Sequence, residues 1–375
     1  MQDLSSTRPT HGGNLAWAAA LSGCSPSDIL DFSASINPLG PPQAAIATIH
    51  THLNRLPHYP DPNYGDLRHA LSQFHQVPMD WILPGNGSAE LLTWAARELA
   101  ELDAVYLLTP SFSDYRRALA AFSANVVAQP LPQFDASSEI GSEGADFSIS
   151  APFTSLRRQS VGLLLNNPHN PTGQLFSTSA ILPYLEQFAL VVVDEAFMDF
   201  LPPDQQQSLI DRVSDHPNLV VLRSLTKFYS LAGLRLGYAI AHPDRLQRWQ
   251  QWRDPWSVNS LAAAAGAIVV QDTAFQHQTW TWVQQARSQL FAGLSAIPGL
   301  HPLPSAANFL LVQSQQSTTQ LQHQLLKQRC ILIRDCISFP ELGDRYFRVA
   351  VRTEAENQQL LDGLAHCLVY PEPLG

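Results

Sequence analysis

Lys227 directly follows Thr226 and stands three residues after Ser224, just past the short apolar run 219–222, and Arg235 comes eight positions later. The run reads as a buried strand. Hydroxyls, cations and glycines crowded between it and the next apolar run, 238–241, suit a site better than a core. A lysine beside phosphate-binding hydroxyls and an arginine fits a Schiff base between Lys227 and pyridoxal 5'-phosphate (PLP), with Ser224, Thr226 and Arg235 at the phosphate. A lysine on a solvated loop would read the same way in isolation, so the neighbouring strand ends must decide.

Asp194 closes the apolar run 190–193, where an unpaired carboxylate is costly to bury. Facing a pyridinium nitrogen it would form an ion pair and keep the ring protonated as an electron sink. Phe112, after the run 105–108, is a candidate to stack on the ring or simply a core aromatic. Asn170, in Asn170-Pro-Thr-Gly173, is a candidate partner for the ring's phenolic oxygen or only a turn former. The segment Gly85-Asn-Gly-Ser88 lies between a short strand, 81–83, and a helix with Leu91, Leu92, Ala95, Ala96 and Leu99 on one side. Strand, glycine turn and helix start place free backbone N–H groups of Gly87 and Ser88 where a phosphate can sit.

Continuous apolar runs at 105–108, 161–165, 190–193 and 219–222 alternate with amphipathic stretches at 113–122 and 177–188. That pattern predicts an α/β fold with a mainly parallel sheet covered on both faces, and ligands beyond the strands' C-terminal ends. Past residue 257 the chain changes to small-residue and Trp/Gln-rich helices with strands at 309–312, 331–333 and 346–351, a smaller α+β domain. The expected division is an N-terminal arm, 1–44, a large domain, 45–269, and a small C-terminal domain, 270–375. In the arm, His11-Gly-Gly-Asn14 and the proline-rich 31–42 are expected to take loop geometry rather than regular structure, and the arm to be ordered by packing on something else. The acidic, Ser/Gly-rich 136–145 is expected to be a mobile loop.

The 375-residue chain is 45% hydrophobic and 14% charged, with a formal charge of -10. This disfavours sequence-independent nucleic-acid binding, which depends on neutralising many phosphates. No apolar run reaches the roughly 18 to 20 residues that span a bilayer. The stretch Leu15-Ala-Trp-Ala-Ala-Ala-Leu-Ser-Gly-Cys24 resembles a short export signal, but its weak basic flank favours a helix of the mature protein. Cys24, Cys330, Cys336 and Cys367 lack Cys-x-x-Cys spacing, and no histidines gather around them, so reduced thiols in a cytoplasmic protein and no metal site are expected.

In this order, Gly85-Asn-Gly, Asn170-Pro-Thr-Gly173, Asp194-Glu-Ala, Ser224-x-Thr-Lys227 and Arg235 resemble the fold type I PLP-dependent enzymes, in the histidinol-phosphate aminotransferase-like group. The resemblance implies a homodimer with an active site between subunits, Tyr59 at the partner's cofactor phosphate, Phe112 stacked on the ring and Arg348 on a substrate anion. Phe197 departs from the pattern, since many relatives carry a tyrosine there whose hydroxyl bonds the phenolic oxygen. A closer resemblance, over nearly the whole chain, is to the threonine-phosphate decarboxylase family of cobalamin biosynthesis. It rests on His11-Gly-Gly-Asn14, Asp31-Phe-Ser-Ala-x-Ile-Asn-Pro-Leu-Gly40, Leu222-Arg-Ser-Leu-Thr-Lys-Phe-Tyr229, Pro255-Trp-Ser-Val-Asn259 and Ile331-Leu-Ile-Arg334. It implies a phosphorylated amino-acid substrate, and the planar guanidinium groups of Arg334 and Arg348 suit its anions, with His11 and Asn37 closing over them. Decarboxylation is the expected reaction, and transamination of histidinol phosphate or a similar amino acid the alternative. A PLP-binding regulator would need a DNA-binding module, for which the short arm leaves no evident room.

Overall fold

The computed structural model describes residues 8–134 and 160–369; the loop expected at 136–145 lies outside them. In chain order the strands are β1 (Leu30–Asp31), β2 (Ile82–Asn86), β3 (Ala104–Thr109), β4 (Val126–Pro130), β5 (Val161–Asn166), β6 (Leu190–Asp194), β7 (Leu219–Ser224), β8 (Leu236–Ala241), β9 (Leu300–Pro302), β10 (Phe309–Ser314), β11 (Ile331–Leu332), β12 (Arg334–Asp335) and β13 (Tyr346–Ala350). The chain divides into two compact units: one runs from Leu39 to Asn170 and from Leu175 to Trp280, the other takes the chain up to Pro38, Pro171–Gln174 and Thr281 onward.

The larger unit is built on a seven-stranded sheet of order β2-β8-β7-β6-β5-β3-β4. From β7 through β4 neighbours run parallel, and β3, β5 and β6 are buried at every residue, as the uninterrupted Val and Leu runs require. At the other end β8 lies antiparallel to both β7 and β2, which makes the sheet mixed. The physical reason is the connection: residues 225–235 form a loop with only the 3-10 turn Ala232–Leu234, and no crossover helix returns the chain to a parallel start. Leu91, Leu92, Ala95, Ala96 and Leu99 of the helix Gly87–Leu99 pack into one core with Leu107, Val192, Val220, Leu222 and Trp249. The periodicity at 91–99 therefore marks the face that docks on the sheet.

The smaller unit carries a sheet of order β12-β13-β10-β9, with β10 and β13 antiparallel. Leu310, Val312, Phe347 and Val349 share its core with Leu290, Leu325, Leu360 and Leu364. Two elements depart from the sequence reading here. The segment 31–42 is not loop throughout, because Leu30 and Asp31 pair in parallel with Ile331 and Leu332. The expected strand 331–333 is split for the same reason: β11 serves the arm, while β12 turns to pair with β13. The helix Leu15–Ser22 forms as expected, capped by Asn14 Oδ1, which accepts the Trp17 N–H at 3.0 Å.

The cysteine expectation is half overturned. Cys336 and Cys367 are free and buried, but Cys24 and Cys330 form a disulfide across a separation of 306 residues. The pairing of β1 with β11, and the packing of Trp17 and Ala18 with Leu326 and Leu332, bring the two cysteines together, which no local spacing shows. A non-reducing digest should yield one cross-linked peptide pair, Cys24 with Cys330, and reduction should lower stability by about 2–4 kcal/mol in denaturant titration. Four alkylatable thiols in the non-reduced, unfolded chain would contradict the bond.

Candidate active site

The polar strand ends of the larger unit sit side by side because the register puts them there. Asn166 lies opposite Asp194 in the β5–β6 pair, and Ser224 lies opposite Gly237, which in turn faces Gly85 across β2. Asp194 is 8% exposed, and both of its oxygens are engaged: Oδ1 accepts the Ala196 N–H at 3.0 Å and Oδ2 accepts the Tyr115 hydroxyl at 2.8 Å. Burial pushes its carboxyl above the usual range, while the charge of Lys227 and the Tyr115 hydrogen bond pull it back. Asp194 and Lys227 therefore form one electrostatic unit. Lys227 Nζ donates to Thr226 Oγ1 at 3.5 Å and lies 5.2 Å from the centroid of the Phe197 ring. The Thr226 and Ser224 hydroxyls are bonded to each other at 2.6 Å.

An anion cradle adjoins this group. The helix Gly87–Leu99 has no side-chain cap at Asn86, so its first N–H groups remain directed at its N-terminus. Gly87 has φ of 72°, and a Cβ there would come within 2.8 Å of Arg235 Nη2. A Cβ at Gly237 would meet the Ser88 nitrogen at 2.4 Å and the Arg223 carbonyl oxygen at 2.7 Å. Glycine at both positions lets the helix N-terminus, β8 and the Arg235 guanidinium approach closely. Arg235 itself has φ of 58°, uncommon for a long side chain and typical of places where the surroundings over-determine the backbone.

Phe112 is half-buried and meets Tyr115 edge to face, with centroids 5.5 Å apart. Asn170 is buried on the loop that leaves β5, where the Asn167 N–H donates to the Asp194 carbonyl at 2.9 Å. Tyr59 does not join the buried set. It is 79% exposed and stacked on Trp256 at 4.5 Å.

In the smaller unit, Arg334 and Arg348 are directly opposite each other in the β12–β13 pair, and both are buried. Arg334 donates to the carbonyls of Pro9 and Thr10 and to Ser338 Oγ at 2.6 Å. Arg348 donates to the Ser33 carbonyl at 3.3 Å and lies 4.8 Å over the Phe309 ring; burial pushes its guanidinium down to about 10. His11 is exposed and Asn37 is buried. The glycines of His11-Gly-Gly-Asn14 have a steric cause: a Cβ at Gly12 would meet the Ser33 carbonyl oxygen at 2.2 Å, and the Gly13 N–H donates to Ser33 Oγ.

Sequence reasoning missed two features. Tyr115 gave no signal toward Asp194 beyond its place three residues after Phe112. The salt-bridged set of Arg223 with Glu195 Oε2 at 3.1 Å and Asp199 Oδ1 at 2.6 Å lies one residue from Ser224 and one from Asp194. A buried arginine in a strand and a carboxylate pair in the following turn were visible as residue types, but not as partners.

The fit to PLP is direct. An amine, a buried carboxylate and an uncapped helix N-terminus with an arginine across it occupy the C-terminal edge of the parallel strands, and the glycine positions leave the cradle open. This arrangement defines a PLP-dependent enzyme of fold type I. The chain belongs to the class I and II aminotransferase family, whose model matches residues 27–364. It is 39% identical to the threonine-phosphate decarboxylase of Salmonella typhimurium over 363 residues, 96% of each chain. It is 34% identical to a histidinol-phosphate aminotransferase of Symbiobacterium thermophilum, over 91% of each chain. Among solved structures, the L-threonine-O-3-phosphate decarboxylase of Porphyromonas gingivalis superposes with a TM-score of 0.80 at 25% identity, covering 91% of this chain and 100% of that one. Among the described residues no helix is long and apolar enough to cross a membrane, and no group of three or more potential ligands could hold a metal ion.

Proposed function

We propose that this chain is a PLP-dependent carboxy-lyase that converts L-threonine O-3-phosphate into carbon dioxide and 1-amino-2-propanol phosphate, in cobalamin biosynthesis. The observation that carries the substrate class is the buried cross-strand pair Arg334 and Arg348. Asp335 lies 3.9 Å from Arg334, and two buried guanidiniums at one place, with planar forks suited to phosphate and carboxylate, favour a further anion there. The 39% identity to a threonine-phosphate decarboxylase supports the same substrate.

PLP, when bound, supplies an electron sink for the electron pair released as the Cα–carboxylate bond breaks. With the cofactor bound, Lys227 would be the residue that holds it through its side-chain amine, the place that the substrate's amine would take. Asp194 holds the proton on the ring nitrogen, Phe112 packs on the ring face, and Asn170 donates to the phenolic oxygen that Phe197 cannot reach with a hydroxyl. Gly87, Ser88, Ser224, Thr226 and Arg235 hold the cofactor's phosphate. His11, Asn37, Asn170, Arg334 and Arg348 are the residues assigned to the substrate's phosphate and carboxylate. As carbon dioxide leaves, the released Lys227 gives a proton to Cα, so a C–H bond replaces the C–C bond.

The working form on this reading is a homodimer. Exposed Tyr59, stacked on an exposed Trp256, is supplied to the partner's phosphate. The arm 1–44, the cofactor domain 45–269 and the small domain 270–375 are proposed as the functional divisions, and the cytoplasm as the compartment.

Incubating the purified holoenzyme with threonine phosphate is expected to release carbon dioxide with no requirement for 2-oxoglutarate. Keto-acid-dependent amino transfer, without carbon dioxide, would replace this reading with an aminotransferase.

A further inference from the structure

Tyr115 is 2% exposed, on the helix Ser113–Ala120 that starts directly after Phe112. A phenylalanine would fill that volume without introducing a polar atom. The hydroxyl instead meets Asp194 Oδ2 at 2.8 Å, while the ring lies edge-on to Phe112 at 86°. One side chain thus touches both the carboxylate proposed for the ring nitrogen and the aromatic proposed for the ring face. With Oδ1 held by the Ala196 N–H, the carboxylate plane of Asp194 is fixed from both sides, and each oxygen keeps lone-pair capacity for a further donor. Burial and the adjacent carboxylate push the phenol well above its usual range, so it donates at every working pH.

We propose that Tyr115 is a positioning residue for Asp194: its hydroxyl fixes the carboxylate's orientation and draws off part of its negative charge. That sets how strongly Asp194 holds the proton of the pyridinium ring. This inference rests on the PLP reading above and adds to it a residue which acts on the cofactor only through Asp194. The donor is a neutral phenol and its acceptor a charged oxygen, so the hydrogen bond is of the stronger, charge-assisted kind.

The test uses cofactor-depleted protein retitrated with PLP and followed by the visible band of the lysine-bound cofactor. Tyr115→Phe should weaken PLP affinity by about tenfold or more. It should also move the pH midpoint of the band upward, because the carboxylate loses a donor and presents more charge to the ring. Incorporating 3-fluorotyrosine at Tyr115, a stronger donor of nearly the same shape, should move the midpoint the opposite way. In an Asp194→Asn background the Tyr115→Phe loss should largely vanish, whereas a merely space-filling tyrosine would cost the same in both backgrounds. An unchanged affinity and midpoint in Tyr115→Phe, an undiminished loss beside Asp194→Asn, or fluorotyrosine and phenylalanine shifts of the same sign would each overturn the proposal. If Tyr115→Phe does not fold, the fluorotyrosine shift decides alone. A wild-type chain that takes up no PLP overturns the cofactor reading and this inference together; a wild-type chain that binds PLP with an indifferent Tyr115→Phe overturns only the inference.

Discussion

Replacing Lys227 by alanine should abolish the visible band of the bound cofactor and lower turnover by about 10⁴-fold. The lysine has two uses in the proposed reaction, as the covalent anchor and as the proton donor to Cα, and alanine removes both. Its surroundings isolate the effect. Lys227 lies against the Thr226 hydroxyl and the Phe197 ring on the loop between β7 and β8, so alanine there leaves both strands in place and the fold should survive. The charge of Lys227 also holds down the proton affinity of Asp194, and its removal leaves burial less opposed there. Residual PLP binding should therefore be noncovalent and weaker. Retention of the band, or of more than about one per cent of turnover, would remove Lys227 from its assigned role.

Replacing Arg223 by methionine should destabilise the chain by about 3–5 kcal/mol, read as a lowered midpoint in denaturant with an unchanged slope. Arg223 is 1% exposed and is the cation shared by Glu195 and Asp199, which are themselves buried. Burial pushes both carboxyls up, and Arg223 is what pulls them back toward ionisation. Methionine fills similar volume but leaves two carboxylates without their counterion, although Glu195 keeps the Leu209 N–H and the Ser208 hydroxyl. The pH dependence has a definite sign. A carboxyl whose folded pKa lies above its unfolded one contributes stability below the unfolded value and loses it as pH rises through the folded value. Both carboxyls move further that way in the variant, so the deficit should be largest near pH 8 and shrink toward pH 5. Because Arg223 precedes Ser224 and Glu195 follows Asp194, PLP affinity should fall as well. A deficit under 1 kcal/mol, or one that grows on acidification, would show that the ion pairs are not the stabilising contact.

The parts of this protein that local physics decides were legible in its residues. Uninterrupted Val and Leu runs specify buried strands because only those residues satisfy two apolar faces at once. The apolar spacing at 91–99 specifies a helix docked on the sheet, and polar groups just past the strands specify where a ligand binds. Lys227, Asp194, Gly87, Ser88 and Arg235 could be nominated on those grounds, and the structure gathers them in one unit. The antiparallel β8 was less visible, since orientation depends on what the connecting loop can span. Contacts between distant segments were not visible at all. Tyr115 and Asp194 are 79 positions apart, and Cys24 and Cys330 are 306.

The opposition of Arg334 and Arg348 likewise follows from strand register, which is fixed by the packing of the whole small unit. By itself the sequence determined the strand ends, the candidate cofactor and the residue types that serve it, because these depend on hydropathy, turn chemistry and near neighbours. Only the tertiary structure decided which group steadies Asp194, how Arg223 is neutralised and what ties the arm down, because a hydrogen bond or an ion pair depends on distance in space.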